Sequence, residues 1–163
     1  MRKIIFSLLV TAFCQAAFGQ EDTTLLYLRF PTVPPFRIIT MADSTVFTKD
    51  NLSKKKATII MVFSPDCEHC QAETKALTAK IELFKKVQIV MASPLDYDYI
   101  KKFYEEYKIA DYPNITMGRD PGYYLGTFYK IRSFPAIFLY DKKGNFVKAF
   151  NGSYPVEQIA ELL

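Results

Sequence analysis

The run of apolar and β-branched residues at 57–63 constrains the fold of this chain more than any other segment. Such an unbroken run is typical of a strand that is covered on both faces of a sheet. Ser64, Pro65 and Asp66 interrupt the run, and from Cys67 onward the apolar residues fall at helical spacing. The sequence therefore predicts a central strand, a tight turn and a helix in direct succession.

The segments that follow continue this alternation of strand and helix. Residues 87–92 form a second apolar run, and residues 96–108 place Tyr, Ile and Phe at helical spacing. This order favours parallel pairing of the strands with right-handed crossover connections. We therefore predict an α/β fold in which a central mixed β-sheet is flanked by helices.

Shorter elements are predicted on either side of this centre. A hairpin signal consists of two strand-like segments around a polar turn, and the chain has one such signal before the centre and one after it. In chain order, the predicted elements are a short strand at 25–28, a hairpin of strands at 36–41 and 45–48, a loop with one short helix over 114–129, a hairpin of strands at 134–140 and 146–150, and a helix from Pro155.

The first residues have the three parts of an export signal. Arg2 and Lys3 give a charged start, residues 4–13 are apolar, and residues 17–19 form a small-x-small cleavage site. A membrane anchor is the alternative, but a spanning helix needs about 20 apolar residues and this run has about half of that. We predict an exported, periplasmic protein with three parts: a signal peptide over residues 1–19, an extended lead-in over 20–35 and one domain over 36–163.

Cys14 and the net charge bear on the partners of such a protein. A cysteine just after an apolar run can accept lipid and tether the protein to the membrane, but bacterial lipoprotein signals have a small residue where this chain has Phe13. Cleavage without lipidation is therefore favoured. The chain after residue 19 keeps 19 Lys and Arg against 17 Asp and Glu, a balance of +2. So small an excess argues against a nucleic acid as partner.

Without Cys14, the remaining thiols are those of Cys67 and Cys70. A structural disulfide between them is disfavoured, because closing so short a loop contributes little entropic stabilisation. A structural zinc site needs four ligands, and these two thiols with His69 supply three. We predict no metal and no other cofactor, with Cu(I) binding by the two thiolates kept as an alternative.

A redox pair is the third use for these thiols. Cys67 at the start of a helix faces unpaired backbone N–H groups and the positive end of the helix dipole, which favours a nucleophilic thiolate. Cys70 lies nearly one turn later, where it can attack a mixed disulfide at Cys67. Glu73, on the same face, can take up or return the proton of Cys70. The alternative for Glu73 is an exposed acid that stabilises the start of the helix.

Three ionisable neighbours are expected to tune this pair. A protonated His69 stabilises the thiolate and makes the disulfide more oxidising. Asp66 and Glu68, on either side of Cys67, act in the opposite direction. The sequence therefore leaves both directions of electron flow open.

A Cys-x-x-Cys motif at a strand-to-helix turn, followed later by Phe134-Pro135 before a strand, resembles the thioredoxin superfamily. The export signal, the hairpin before the core and Glu73 make the chain more similar to the TlpA/ResA-like branch of periplasmic thiol-disulfide oxidoreductases. The resemblance covers residues 36–163 and implies a thioredoxin-like fold with an N-terminal β-hairpin extension. It also implies that Pro135 is cis and lies against the cysteine pair, and that the backbone of Phe134 binds the substrate chain.

The chain departs from this family at several positions. It has no Trp before the motif and reads Phe63-Ser64-Pro65-Asp66 instead. Met61 stands where many thioredoxins carry a buried Asp, which shifts proton transfer to Glu73. Phe134 is bulkier than the Thr or Val common before the cis proline, which leaves the substrate range and the reduction potential open.

The resulting prediction is a monomeric thiol-disulfide oxidoreductase that acts on proteins with cysteines or disulfides. Reductive work is favoured, because it is the usual work of the family, and it requires an electron donor in the membrane. The alternatives are a disulfide-forming oxidase, a Cu(I) metallochaperone that uses the same thiols, and a binding module without catalysis.

Overall fold

The computed structural model describes residues 25–163, so the predicted signal peptide, Cys14 and residues 20–24 of the lead-in lie outside the described residues. The helices are α1 (Leu26–Arg29), α2 (Glu68–Ala79), α3 (Tyr97–Glu106), α4 (Tyr124–Tyr129) and α5 (Val156–Ala160). The strands are β1 (Arg37–Thr40), β2 (Val46–Thr48), β3 (Ala57–Val62), β4 (Val87–Ser93), β5 (Ile115–Arg119), β6 (Ala136–Tyr140) and β7 (Phe146–Asn151). Short 3-10 turns occupy Lys49–Asn51, Ile81–Phe84 and Ile109–Asp111.

The strands form one mixed sheet in the order β2-β1-β5-β4-β3-β6-β7. Strands β3, β4 and β5 are parallel, while β1 and β6 are antiparallel to their neighbours β5 and β3. The hairpins β1–β2 and β6–β7 close the two edges. The predicted α/β fold with a central mixed sheet is therefore confirmed, together with both hairpins.

Strand β3 lies near the centre of the sheet, and all six of its residues are buried. Successive side chains of a strand point to opposite faces, and β3 supplies both cores of the domain in this way. Ile59 and Met61 join the core beneath α2, α3 and α5. Ile60 and Val62 join the core beneath α4 and the lead-in. The unbroken apolar run of β3 is therefore explained by burial on two faces.

Strand β5 corrects the prediction of a loop with one helix over residues 114–129. The helix is present as α4, but Ile115–Arg119 is a strand that joins the hairpin β1–β2 to the rest of the sheet. Gly118 obscures the strand pattern in the sequence, since glycine is depleted in strands. A Cβ at Gly118 would lie 2.7 Å from the backbone oxygen of Ile39. The neighbouring strand therefore approaches too closely for any other residue.

The lead-in also differs from its prediction, because residues Leu26–Arg29 form the short helix α1 and not a strand. Of the α1 side chains, half-buried Tyr27 packs against the second core, with its ring 5.4 Å from the ring of Phe138 and 5.2 Å from that of Phe146. After Pro31 the chain follows the β6–β7 turn, with Val33 N–H donating to the Gly144 oxygen at 3.0 Å. The lead-in thus covers the second core. Its apolar residues alone did not distinguish this short helix from a strand.

Candidate active site

Cys67 occupies the N-cap position of α2, at the end of the loop that leaves β3. Its N–H donates to the Ser64 oxygen at 3.1 Å, and its carbonyl accepts the first helical hydrogen bond from Gln71. The backbone N–H of Cys70 donates to Sγ of Cys67 at 3.4 Å. The sulfur thus takes the place of the oxygen in an ordinary N-cap and faces the positive end of the helix.

Cys70 lies one turn into the same helix and is fully buried, whereas Cys67 is half-buried. Both are free thiols. Burial raises the pKa of the Cys70 thiol, and contact with the Cys67 side chain raises it further. A partner can therefore reach Cys67 but not Cys70, and Cys70 stays protonated until something nearby accepts its proton.

The peptide bond between Phe134 and Pro135 is cis, as the resemblance implies. The thiol of Cys67 donates to the backbone oxygen of Phe134 at 3.6 Å. This meeting follows from the sheet, because β3 and β6 are antiparallel neighbours with Val62 opposite Ala136. The residues that follow β3 and the residues that precede β6 therefore lie at the same end of these two strands.

Glu73 lies one turn beyond Cys70 and is 5% exposed. Its Oε2 accepts a hydrogen bond from the backbone N–H of Tyr154 at 3.1 Å. Burial raises the pKa of the Glu73 carboxyl, and the hydrogen bonds from Tyr154 and Ser153 only partly oppose this. The Glu73 charge in turn contributes to the raised pKa of Cys70. The alternative of an exposed acid at the helix start is therefore wrong.

Glu73 is one of two buried carboxylates among residues 25–163. The other, Asp120, accepts hydrogen bonds from the backbone N–H groups of Tyr124 and Leu125 at the start of α4. Met61, 2% exposed, packs among apolar core residues. The part of the chain described here thus offers Glu73 as the buried carboxylate beside the thiols.

The loop between β7 and α5 also belongs to the site, which the residue pattern did not indicate. The N–H of Gly152 donates to the Pro135 oxygen at 2.7 Å. The Ser153 hydroxyl donates to the His69 oxygen at 3.1 Å, and the N–H of Tyr154 reaches Glu73. Gly152 has a φ of +97°. Pro155 indicated the start of the last helix, but no local pattern indicated the contacts of the residues before it.

The predicted tuning residues all surround Cys67 at the surface. Asp66, Glu68 and His69 are exposed. Water and salt reach side chains in such positions. The structure brings these side chains to the rim of the site and not into it.

Among residues 25–163, no three His, Cys, Asp or Glu side chains are grouped so that they could hold a metal ion. The helices formed by these residues are also too short or too polar to cross a membrane.

Several solved structures share this fold. A secreted disulfide oxidoreductase of Mycobacterium tuberculosis, described as homologous to E. coli DsbE, is 19% identical with a TM-score of 0.66, over 78% of this chain and 93% of that chain. Bacillus subtilis StoA is 22% identical with a TM-score of 0.60, over 81% and 98%. DsbF of M. tuberculosis, solved in mixed oxidised and reduced forms, is 21% identical with a TM-score of 0.67, over 80% and 96%.

No curated protein matches this chain. Residues 48–163, from the end of β2 to the C-terminus, match the sequence model of the thioredoxin-like domain. The matched region contains both cysteines, the cis proline and the buried carboxylate. The chain therefore belongs to the thioredoxin-like domain family.

Proposed function

We propose that this protein is an exported thiol-disulfide oxidoreductase that reduces disulfides in other proteins. One observation carries the proposal: an accessible thiol at a helix start, Cys67, lies between a buried thiol, Cys70, and the cis proline Pro135. Such an arrangement suits two successive thiol-disulfide exchanges. The first thiol must be accessible to the substrate, and the second must react only after the mixed disulfide has formed.

In the first exchange, the Cys67 thiolate attacks one sulfur of a substrate disulfide. A Cys67–substrate disulfide forms, the substrate disulfide breaks, and the other substrate sulfur leaves as a thiolate that takes a proton from solvent. The Cys70 N–H at 3.4 Å and the start of α2 stabilise the attacking charge.

In the second exchange, Cys70 gives its proton to the Glu73 carboxylate and attacks Sγ of Cys67. The Cys67–Cys70 disulfide forms, and the second substrate sulfur leaves as a thiolate. The substrate has then gained two electrons and the enzyme has lost them. Glu73 suits this role because its carboxylate is buried beside Cys70 and burial favours its protonated form.

The substrate chain is proposed to lie along Phe134 and Pro135. The Phe134 oxygen is 3.6 Å from Sγ of Cys67, so a backbone held there would present its sulfur to the nucleophile. The Phe134 side chain is half-buried between the two cores. Its backbone is therefore fixed, which limits the entropy lost when a substrate binds.

The reductive direction rests on the resemblance to the TlpA/ResA-like branch, and export rests on residues 1–19. The secreted protein of M. tuberculosis with this fold is described as a disulfide oxidoreductase, which is consistent with both. An oxidising compartment would require a membrane dithiol that returns two electrons to the Cys67–Cys70 disulfide after each cycle.

The first test is the equilibrium reduction potential of the Cys67–Cys70 pair in a dithiothreitol or glutathione buffer. A potential near that of thioredoxin, about −270 mV, or lower supports a reductase. A potential near −120 mV makes the protein an oxidase. Stoichiometric Cu(I) binding without turnover of disulfides would instead support the metallochaperone alternative.

The second test uses Cys70→Ser, which should accumulate a disulfide between Cys67 and substrate proteins. The matched variant Cys67→Ser should trap none, because the buried Cys70 cannot be reached. Equal trapping by the two variants would contradict the assigned roles.

A further inference from the structure

Six lysines surround the place where β3 begins, and we call them the lysine face. Five of them line one cavity of about 570 Å³ with Thr58 and Gln88 at its base, and the sixth is adjacent in sequence. Tyr140 at the end of β6 pairs with Thr58, so the β6–β7 turn lies beside the start of β3. The members of the lysine face are Lys49, Lys54, Lys55, Lys56, Lys142 and Lys143.

The lysine face carries the whole charge excess of residues 25–163. These residues contain nineteen Lys and Arg and fifteen Asp and Glu. The lysine face contains six of the basic residues, and its acidic neighbours Asp50 and Asp141 are two of the acidic ones. The rest of residues 25–163 therefore has thirteen basic and thirteen acidic residues. The positive charge is therefore concentrated at one site on an otherwise balanced surface.

Within the described part of the chain, Asp50 and Asp141 offset this charge only in part. The six lysines form no ion pair among residues 25–163, and five of them are exposed, with Lys56 half-buried. Asp141 instead accepts hydrogen bonds from the N–H groups of Lys143 and Asn145, both at 2.8 Å. Its carboxylate is thus held by the turn.

Exposed apolar side chains adjoin the lysine face. Leu26 and Phe30 of the lead-in are 40% and 55% exposed. Leu26 and Phe30 line a second cavity, and the two cavities share Lys49. The connection is rigid, because Pro31 follows Phe30 and its oxygen accepts a hydrogen bond from Phe146 N–H at 2.9 Å. Basic and apolar groups are therefore side by side.

We propose that the lysine face, with Leu26 and Phe30, binds the surface of an anionic lipid bilayer. Lysines near such a surface are attracted by the anionic headgroups, while neighbouring apolar side chains enter the boundary between headgroups and acyl chains. Lys56 precedes the six-residue β3 and Cys67 follows it, a strand length of about 20 Å. Binding in this way holds the cysteine pair away from the membrane, open to other proteins.

An acidic protein is the other partner that six lysines could attract. The bilayer is favoured because the apolar side chains next to the lysines can enter it, whereas they would form no ionic contact with an acidic protein. Lysines are also long and flexible, which suits a fluid surface of headgroups better than paired recognition of fixed carboxylates.

The test is cosedimentation of the protein, as the cell produces it, with phosphatidylcholine vesicles that contain or lack phosphatidylglycerol. We expect binding to the anionic vesicles to be at least about tenfold tighter at low salt, and to weaken by a similar factor at about 0.5 M salt. An N-terminal tether, if one is retained, would act on both kinds of vesicle alike. Equal binding to both kinds would overturn the proposal.

Two charge-reversal variants separate the lysine face from net charge. Lys54→Glu/Lys142→Glu should bind anionic vesicles at least about tenfold more weakly. Lys75→Glu/Lys102→Glu changes the same charge on α2 and α3 and should stay within about twofold. Equal losses in the two variants would mean that net charge alone acts, and would overturn the proposal.

The variant Leu26→Ser/Phe30→Ser tests the apolar part and should lose about fivefold in vesicle affinity. Polyglutamate that binds the protein as tightly as the vesicles do, without loss in this variant, would assign the face to an acidic protein. All variants should reduce a disulfide substrate at the wild-type rate, so failure of membrane binding is distinguishable from failure of the proposed redox function.

Discussion

The backbone N–H of Tyr154 donates a hydrogen bond to Oε2 of Glu73 at 3.1 Å and so ties the last loop of the chain to the helix that carries both cysteines. Two further bonds from the same loop reach the oxygens of Pro135 and His69. Glu73 thus meets a donor that no substitution of a side chain removes. Its carboxyl group is held in place whether it is protonated or ionised.

Glu73→Gln should slow the second thiol exchange by at least about tenfold, because the amide cannot accept the Cys70 proton. General acid–base catalysis commonly accelerates a reaction by more than this factor. The amide oxygen can still accept from Tyr154, so the fold should persist. Stopped-flow measurement of mixed-disulfide resolution checks the prediction. An unchanged rate with an unchanged pH profile would exclude Glu73 as the proton acceptor.

The same variant should alter the pH dependence of stability. The folded-state pKa of Glu73 is raised, so its contribution to stability is fully present below the unfolded value near 4.5 and is lost as the pH rises through the folded value. Glu73→Gln cannot ionise and lacks this loss. Its Tm should therefore rise relative to that of wild type as the pH increases above about 4.5. Parallel Tm curves for the two proteins would contradict this.

The two thiols should differ in their reaction with iodoacetamide. Cys70 is fully buried with a raised pKa, whereas Cys67 is half-buried and open to solvent. We expect Cys67 to be modified at least about 100-fold faster, because the thiolate is the reactive form. Peptide mass spectrometry on the folded, reduced protein measures this ratio, and a denatured sample gives the reference in which both react.

Gly118→Ala should destabilise the fold by about 1–3 kcal/mol, because the added Cβ overpacks the contact with Ile39. That Cβ would lie 2.7 Å from the Ile39 oxygen and 2.9 Å from a side-chain carbon of Ile38. Gly122→Ala is the matched control, with no atom within 4 Å of its new Cβ, and should change stability by less than about 0.5 kcal/mol. Urea unfolding of both variants decides the matter.

Tyr129 and Tyr140 form a buried pair whose hydroxyl oxygens are 2.7 Å apart. Burial raises the pKa of both, that of Tyr140 to about 12. Tyr140→Phe should cost about 1–3 kcal/mol, because it leaves the Tyr129 hydroxyl buried without a partner. The double variant Tyr129→Phe/Tyr140→Phe should recover most of this loss. A double variant that merely sums the two single losses would show that the hydroxyls are not coupled.

Residue pattern alone determined the elements whose burial is local in sequence. Strand β3 was predicted close to its observed bounds and helix α2 close to its observed start, because burial on two faces produces an unbroken apolar run and burial of one face produces helical spacing. The helical spacing continued to Phe84, but α2 ends at Ala79 and a 3-10 turn follows. The placement of Cys67 at the helix start followed from the same junction. The two hairpins were read from turns between apolar segments in the same way.

Tertiary structure decided the features that depend on contacts between residues far apart in sequence. Strand β5 was missed because its glycine is required by the approach of Ile39, about eighty residues earlier. Residues 26–29 form a helix, and the contacts of its Tyr27 ring are with Phe138 and Phe146, more than 100 residues later. The sequence offered Glu73 as either a buried or an exposed acid, and the loop around Tyr154 decided for burial.

The site itself combines both kinds of information. Cys67 and Cys70 are three residues apart, so helical geometry was enough to relate them. Cys67 meets Phe134 across 67 residues, and Glu73 meets Tyr154 across 81. Such contacts depend on strand pairing and on the path of a loop, which no local periodicity encodes. The sequence thus determined which residues carry the chemistry, and the sheet determined what surrounds them.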